Sequence, residues 1–226
     1  GDYTKSEKVD RVYENPSLSP LQIYDFPIKL LSIDIETDIE GKNIYSIALY
    51  SDDVEEVHLI TDQKLDKCCG YKNEKELLQG FAKRLDEIDP DLITGWNVVD
   101  FDLAVLKRRF QAHNITFSLG RTGEKCKLTI SKEFMRESRA DFNGRIIFDG
   151  ISLVQQSYMD FEDFKLDTVA NGVLGENKIE LEDGFWDNFT DIIKSDPGRV
   201  AKYNLKDAKL VYDILKEKKL VELAVK

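Results

Sequence analysis

Three apolar segments, at 28–35, 43–50 and 54–60, follow one another with little chain between them. A parallel crossover needs about a dozen residues or more. Here the first gap contains Gly41 and the second is only Ser51-Asp52-Asp53. The segments are dense in Ile, Leu, Val and Tyr, so they read as strands, and their spacing predicts an antiparallel meander. After them the pattern alternates. Asn73 with Glu76 three residues on is a helix-capping box, followed by Leu77, Leu78, Phe81 and Leu85 at helical spacing. Asp89-Pro90 ends that helix. A short buried strand is expected at 92–95, a helix at about 101–113, a strand at 144–149, and helices near 150–157 and 166–174, the latter closed by Gly175. Asp196-Pro197 opens a last helix to about residue 219. A meander followed by alternation predicts an α/β fold: a mixed sheet, antiparallel meander plus parallel strands, flanked by helices. Residues 1–27, punctuated by Asn15-Pro16, Ser19-Pro20 and Phe26-Pro27, read as a lead-in segment that packs on the domain.

Composition limits the function classes. No apolar run approaches the roughly 18 residues needed to span a bilayer, so no membrane partner is expected. Cys68, Cys69 and Cys126 form no Cys-x-x-Cys pair, which excludes a disulfide framework and an evident zinc site and suits a reducing cytoplasm. The start at Gly1 suggests a piece cut from a longer protein. A net charge of −11 argues at first sight against nucleic acid. The charge is unevenly distributed, however. Residues 107–145 hold ten Lys and Arg against four acids, and residues 199–226 hold eight against four. A basic side near 107–145 is the expected approach for a polyanion, with salt-sensitive binding.

The carboxylates carry the chemistry. Asp34 and Glu36 are two apart at the carboxyl end of the first strand, so their side chains share a face, at the sheet end where α/β ligands commonly bind. A strand fraying into a polar turn would look the same. Asp207 is more restrictive. Val200, Tyr203, Asp207, Leu210, Val211 and Ile214 form the inward stripe of the last helix. A carboxylate there must pair with Lys, Arg or a backbone amide, or bind a metal. Tyr203, one turn earlier, shares that face. Asp102, directly after the 92–95 strand, is either a helix cap or a fourth member of the set. Four carboxylates so placed would repel one another without counter-charge. An oxygen-only donor set suits Mg²⁺ or Mn²⁺. The reaction that uses such an arrangement is displacement at phosphorus assisted by two ions roughly 3.5–4 Å apart.

Three ordered segments resemble a known family. Leu31-Ser-Ile-Asp34-Ile-Glu36-Thr37 is similar to the first motif of the DEDD 3′–5′ exonucleases. Gly95-Trp-Asn97-Val-Val-Asp-Phe101-Asp102 is similar to the second, and Tyr203-Asn-Leu-Lys-Asp207 to the third, in its tyrosine subtype. Phe164-Lys-Leu166 through Leu174-Gly175 resembles a segment of family B DNA polymerases. The likeness is strongest to their proofreading domain, of the bacterial DNA polymerase II type. Asp102 is followed by Leu103-Ala104-Val105 where that family often has x-Pro-Tyr, and Phe164 stands where Tyr is usual.

The resemblance implies a ribonuclease H-like fold at 28–220, with residues 126–148 as a β-hairpin insert and 221–226 leading to a polymerase region. It implies two Mg²⁺ or Mn²⁺ ions on Asp34, Glu36, Asp102 and Asp207, with Tyr203 positioning water. Thr37, Asn97 and Phe101 would line the substrate site. The implied reaction releases nucleoside 5′-monophosphates from single-stranded or frayed DNA 3′ ends. The implied partners are primer-template DNA and polymerase domains of the same chain, in the cytoplasm at the nucleoid. A stand-alone DEDD exonuclease acting on DNA or RNA is the alternative, and an inactive nuclease-like scaffold a third. His58 and His113 share no helix turn, so a histidine metal site is not expected, and Trp186 reads as the anchor of a loop.

Overall fold

The computed structural model describes residues 27–131, 138–182 and 184–225, together with Asn15 and Ser17. The expected lead-in therefore lies almost wholly outside the described residues. One mixed sheet forms the centre, built from β1 (Leu30–Thr37), β2 (Ile44–Tyr50), β3 (Glu55–Ile60), β4 (Cys68–Tyr71), β5 (Leu92–Gly95) and β8 (Ile146–Asp149). Its order is β4-β3-β2-β1-β5-β8. β1, β2 and β3 are the antiparallel meander, while β5 lies parallel to β1 and β8 parallel to β5. β4 had no signal in the sequence: Cys68-Cys-Gly-Tyr71 is short, and its parallel partner is β3.

Alternation along β1 sets the two layers. Leu31, Ile33 and Ile35 are buried with Leu77, Leu78, Phe81 and Leu85 of α1 (Glu74–Ile88) and with Leu103, Leu106 and Phe110 of α2 (Leu103–Ala112). Burying each such side chain stabilises the fold by roughly 1.5–3 kcal/mol. α1 begins as expected, with the Asn73 side chain accepting from the Glu76 N–H at 3.0 Å. Glu76 reaches back one residue further than a capping box does, to the N–H of Lys72 at 3.3 Å. The other face of β1 meets α6 (Pro197–Glu217), which runs over β1 and β2 and packs on α4 (Leu166–Leu174). α3 (Gly150–Gln156), α5 (Phe189–Ser195) and α7 (Leu220–Ala224) complete that layer. The boundary expected after residue 220 falls inside α7, whose Leu220 and Val221 are buried in the core.

β6 (Lys127–Thr129) and β7 (Arg139–Asp141) pair antiparallel as a separate two-stranded unit. Their connection at 132–137 lies outside the described residues, and the expected 126–148 range ends inside β8 of the main sheet. The basic segment carries less free charge than its count suggests. Arg109 forks onto Glu74, Arg121 onto Asp89 and Asp91, and Arg145 onto Asp89 and Asp86, while Arg108 donates to the Gly41 carbonyl. These guanidiniums brace loops to the sheet. Both histidines are structural as well: His58 bonds the Tyr71 hydroxyl at 2.8 Å and His113 bonds Glu74 at 2.6 Å.

Candidate active site

The carboxylates gather where the β1–β5 pairing stops. The two strands are in register only from Leu30 to Ser32, opposite Leu92 to Thr94. Beyond that, β1 continues paired with β2 alone and β5 turns away. Gly95 is required at this point, because a Cβ there would sit 2.6 Å from the Ile33 carbonyl oxygen. Asn97 follows in the left-handed region, φ 61°, which Asn tolerates better than most residues. Then comes a π-helical turn, Val98–Asp102, of the kind often found at functional sites.

That turn sets where the Asp102 carboxylate points, and it leaves Asp102 outside the trio of carboxylates that converge. Its side chain makes no capping bond to α2. Instead Oδ1 accepts the Ile35 N–H at 3.1 Å, replacing the acceptor that β5 would have offered had it continued. Asp102 is buried at the N-cap position of α2, but its carboxylate does not cap that helix.

Asp34, Glu36 and Asp207 each place a carboxylate oxygen within 4.8 Å of the others. The first two come from β1 and the third from the inward face of α6. Asn204, fully buried one turn before Asp207, donates to Asp34 at 2.6 Å and accepts from Ser46 of β2 at 2.5 Å. Tyr203, also on the inward face of α6, is buried beside them. Lys178 completes the group, with Nζ 2.5 Å from Asp207 and 5.0 Å from the Tyr203 ring centroid. Its segment is held by Gly175, left-handed at φ 68°, by the Glu176–Lys206 ion pair and by the Lys178 N–H donating to Asp167 at 2.7 Å.

Electrostatics show how crowded the site is. Burial, and then the charge of Asp207, push Asp34 up to about 8 against the pull of Lys178 and Asn204. Burial with the charges of Asp34 and Asp207 raises Glu36 well above the carboxylate range. Asp102 is raised by burial and by Asp34, and Asp207 by burial in spite of Lys178 and Tyr203. Tyr203 is pushed up to about 12 by burial and by Asp207, so it remains a hydroxyl donor. One oxygen of Asp207, Oδ1, is buried without a hydrogen-bond partner. A buried acceptor left open among carboxylates that resist ionising is what a hard cation would satisfy, so the donor set fits Mg²⁺ or Mn²⁺.

The cluster floors a cleft of about 480 Å³, lined also by Thr37, Asp38, Ile39, Phe101 and Trp186. Asn97 is exposed and does not line the cleft; its place is the left-handed corner before the π-helical turn.

Over residues 5–169 the chain matches the exonuclease domain of DNA polymerase family B. The chain belongs to that family. The exonuclease domain is 33% identical over 209 residues to DNA polymerase II of Escherichia coli K12, an alignment covering 88% of this chain and 26% of that protein. It is 27% identical over 236 residues to a DNA polymerase of Desulfurococcus sp. Tok, covering 92% and 30%. It is 29% identical over 238 residues to one of Thermococcus litoralis, covering 92% and 14%. The chain thus spans less than a third of the length of each of these relatives. The mixed sheet agrees with the ribonuclease H-like fold that the sequence resemblance implied. No helix among the described residues is long and apolar enough to cross a membrane.

Within the exonuclease domain, sequence reasoning missed Asn204, Lys178 and the place of Trp186. Asn204 had a signal, being polar at i−3 from Asp207 on the inward stripe. Lys178 had none: it lies in an irregular stretch after α4, and only the fold brings it to α6.

Proposed function

We propose that this domain is a metal-dependent 3′–5′ exonuclease that hydrolyses the terminal phosphodiester of single-stranded or frayed DNA and releases nucleoside 5′-monophosphates. In this reading it proofreads for a longer family B polymerase, in the cytoplasm at the nucleoid. What carries the reading is the convergence of Asp34, Glu36 and Asp207 oxygens within 4.8 Å, in a cleft that Tyr203 also lines. Asp34, Glu36 and Asp207 would hold the divalent cation, with Asp102 supporting the site from the Ile35 amide. Bound there, divalent ions supply charge neutralisation at the scissile phosphate and activation of water.

The side chains supply the rest. Asn204 holds the Asp34 carboxylate in one orientation through Ser46. Tyr203, held as a hydroxyl, orients the attacking water by hydrogen bond. Lys178 places a positive charge beside the reacting phosphate and keeps Asp207 oriented. Thr37 and Phe101 line the cleft that receives the terminal nucleotide. Preference for mispaired ends follows from the cost of separating strands, which is least where pairing is already lost.

A time course on 5′-labelled single-stranded DNA tests this. With Mn²⁺ a ladder shortening from the 3′ end is expected; with chelator, no change. The double substitution Asp34→Ala, Glu36→Ala should abolish cleavage, and cleavage surviving in that variant refutes the assignment.

A further inference from the structure

We propose that Trp186 is a base-stacking wall for the 3′-terminal nucleotide and sets how tightly the reacting end is held. This rests on the exonuclease reading above and adds to it a residue outside the three motifs.

The loop containing Trp186 is anchored by its neighbours. Phe185 and Phe189 are each 2% exposed and lie in the core with Ala48, Val57 and Leu59, and the Arg199 guanidinium covers the Phe185 ring at 5.2 Å. Trp186 stands between them and is 39% exposed. It is not loose. Its ring centroid lies 5.2 Å from Phe185 and 5.4 Å from Phe189, and its plane stands at 78° to Tyr203 at 5.8 Å. An indole fixed on three sides yet open on the remainder offers a ring to a ligand at little conformational cost.

The surroundings identify the ligand. Ten large hydrophobic side chains are exposed among the described residues, and three of them, Ile39, Phe101 and Trp186, line the cleft over the carboxylates. Phe101 arrives from the turn after β5, on one side of β1. Trp186 arrives from the segment packed over β2 and β3, on the other. Exposed apolar side chains scattered singly need no explanation, but three converging on one acidic floor do. A ligand must then be charged at one end and flat and apolar at the other. A nucleotide has both, and aromatic stacking accepts any base.

A cycle between residue and substrate tests the assignment. The hydrolysis of two single-stranded oligonucleotides in Mg²⁺ is compared, one ending in a normal nucleotide and the other in an abasic deoxyribose. Trp186→Leu keeps apolar bulk on Phe185 and Phe189 but removes the ring. It should lower kcat/KM for the base-bearing end roughly ten-fold, mainly through KM, and leave the abasic end within about two-fold. Trp186→Phe should keep most of the activity on both. Equal losses on the two substrates would assign Trp186 to holding Tyr203 and overturn stacking, as would a Phe variant no better than Leu. If the unsubstituted chain hydrolyses neither oligonucleotide, the exonuclease reading fails and this inference with it; normal hydrolysis without the differential effect sinks only the inference.

Discussion

At the scale of single residues, the site is a set of acids held in conditions that oppose their charge. Lys178 is the nearby cation, and Asn204 the neutral donor, that hold the ionised forms in place. The consequence for stability has a definite sign. Asp34 titrates near 8 in the folded chain, against an ordinary value of 3.8. Between those values the folded chain keeps a proton that the unfolded chain has released, so stability falls as pH rises through the window. Thermal denaturation in chelator should show Tm dropping from pH 5 to pH 8. Asp34→Asn, which cannot ionise, should flatten that slope, and Mn²⁺ should raise Tm most at the alkaline end, where the carboxylates are free to bind it. A slope unchanged by Asp34→Asn would remove this residue from the account. Position along a strand or helix made Asp34, Glu36 and Asp207 legible beforehand, because period-two and period-3.6 patterns fix which way a side chain points. Asp102 was ambiguous for the same reason: a π-helical turn breaks the period, and only the open Ile35 N–H shows where its carboxylate goes.

At the scale of elements, the meander, β5 and the helices α1, α3, α4 and α6 followed from apolar spacing and from caps such as Asn73, Gly175 and Asp196-Pro197. β4 and α5 did not. Four residues of an edge strand containing Gly70 carry no pattern, and α5 is a single short run beside aromatic anchors whose partners lie far away in sequence. The junction of β5 with the π-helical turn is the element most exposed to substitution. Gly95→Ala would drive a methyl group against the Ile33 carbonyl oxygen at 2.6 Å and against Val98 at 3.0 Å. Backbone cannot yield there without moving β1, so a loss of about 1–3 kcal/mol is expected, measurable by urea denaturation. Activity should fall further than stability does, since the same shift moves Asp34 relative to Asp207. A neutral Gly95→Ala would show that the strands part more easily than their spacing implies.

At the scale of the whole molecule, one 21-residue helix dominates. α6 carries Tyr203, Asn204 and Asp207, and its remaining inward residues, Val200, Ala208, Leu210, Val211, Ile214 and Leu215, lie in two of the three core clusters. The overall charge of −11 says little about this architecture, because much of the basic segment is tied into ion pairs that brace loops. The helix makes the site and the core one cooperative unit. Backbone amides around Tyr203–Asp207 should exchange hydrogen for deuterium only through global opening, as slowly as those of β1, whereas the β6–β7 unit, off the main sheet, should exchange sooner. Exchange at Asp207 much faster than at Ile33 would contradict this. Most catalytic loops can loosen while their scaffold stays folded. Here the helix that supplies Asp207 is also the spine of the core, so, under the proposed exonuclease function, damage to the domain should silence cleavage outright and leave no partly folded form able to degrade DNA without control.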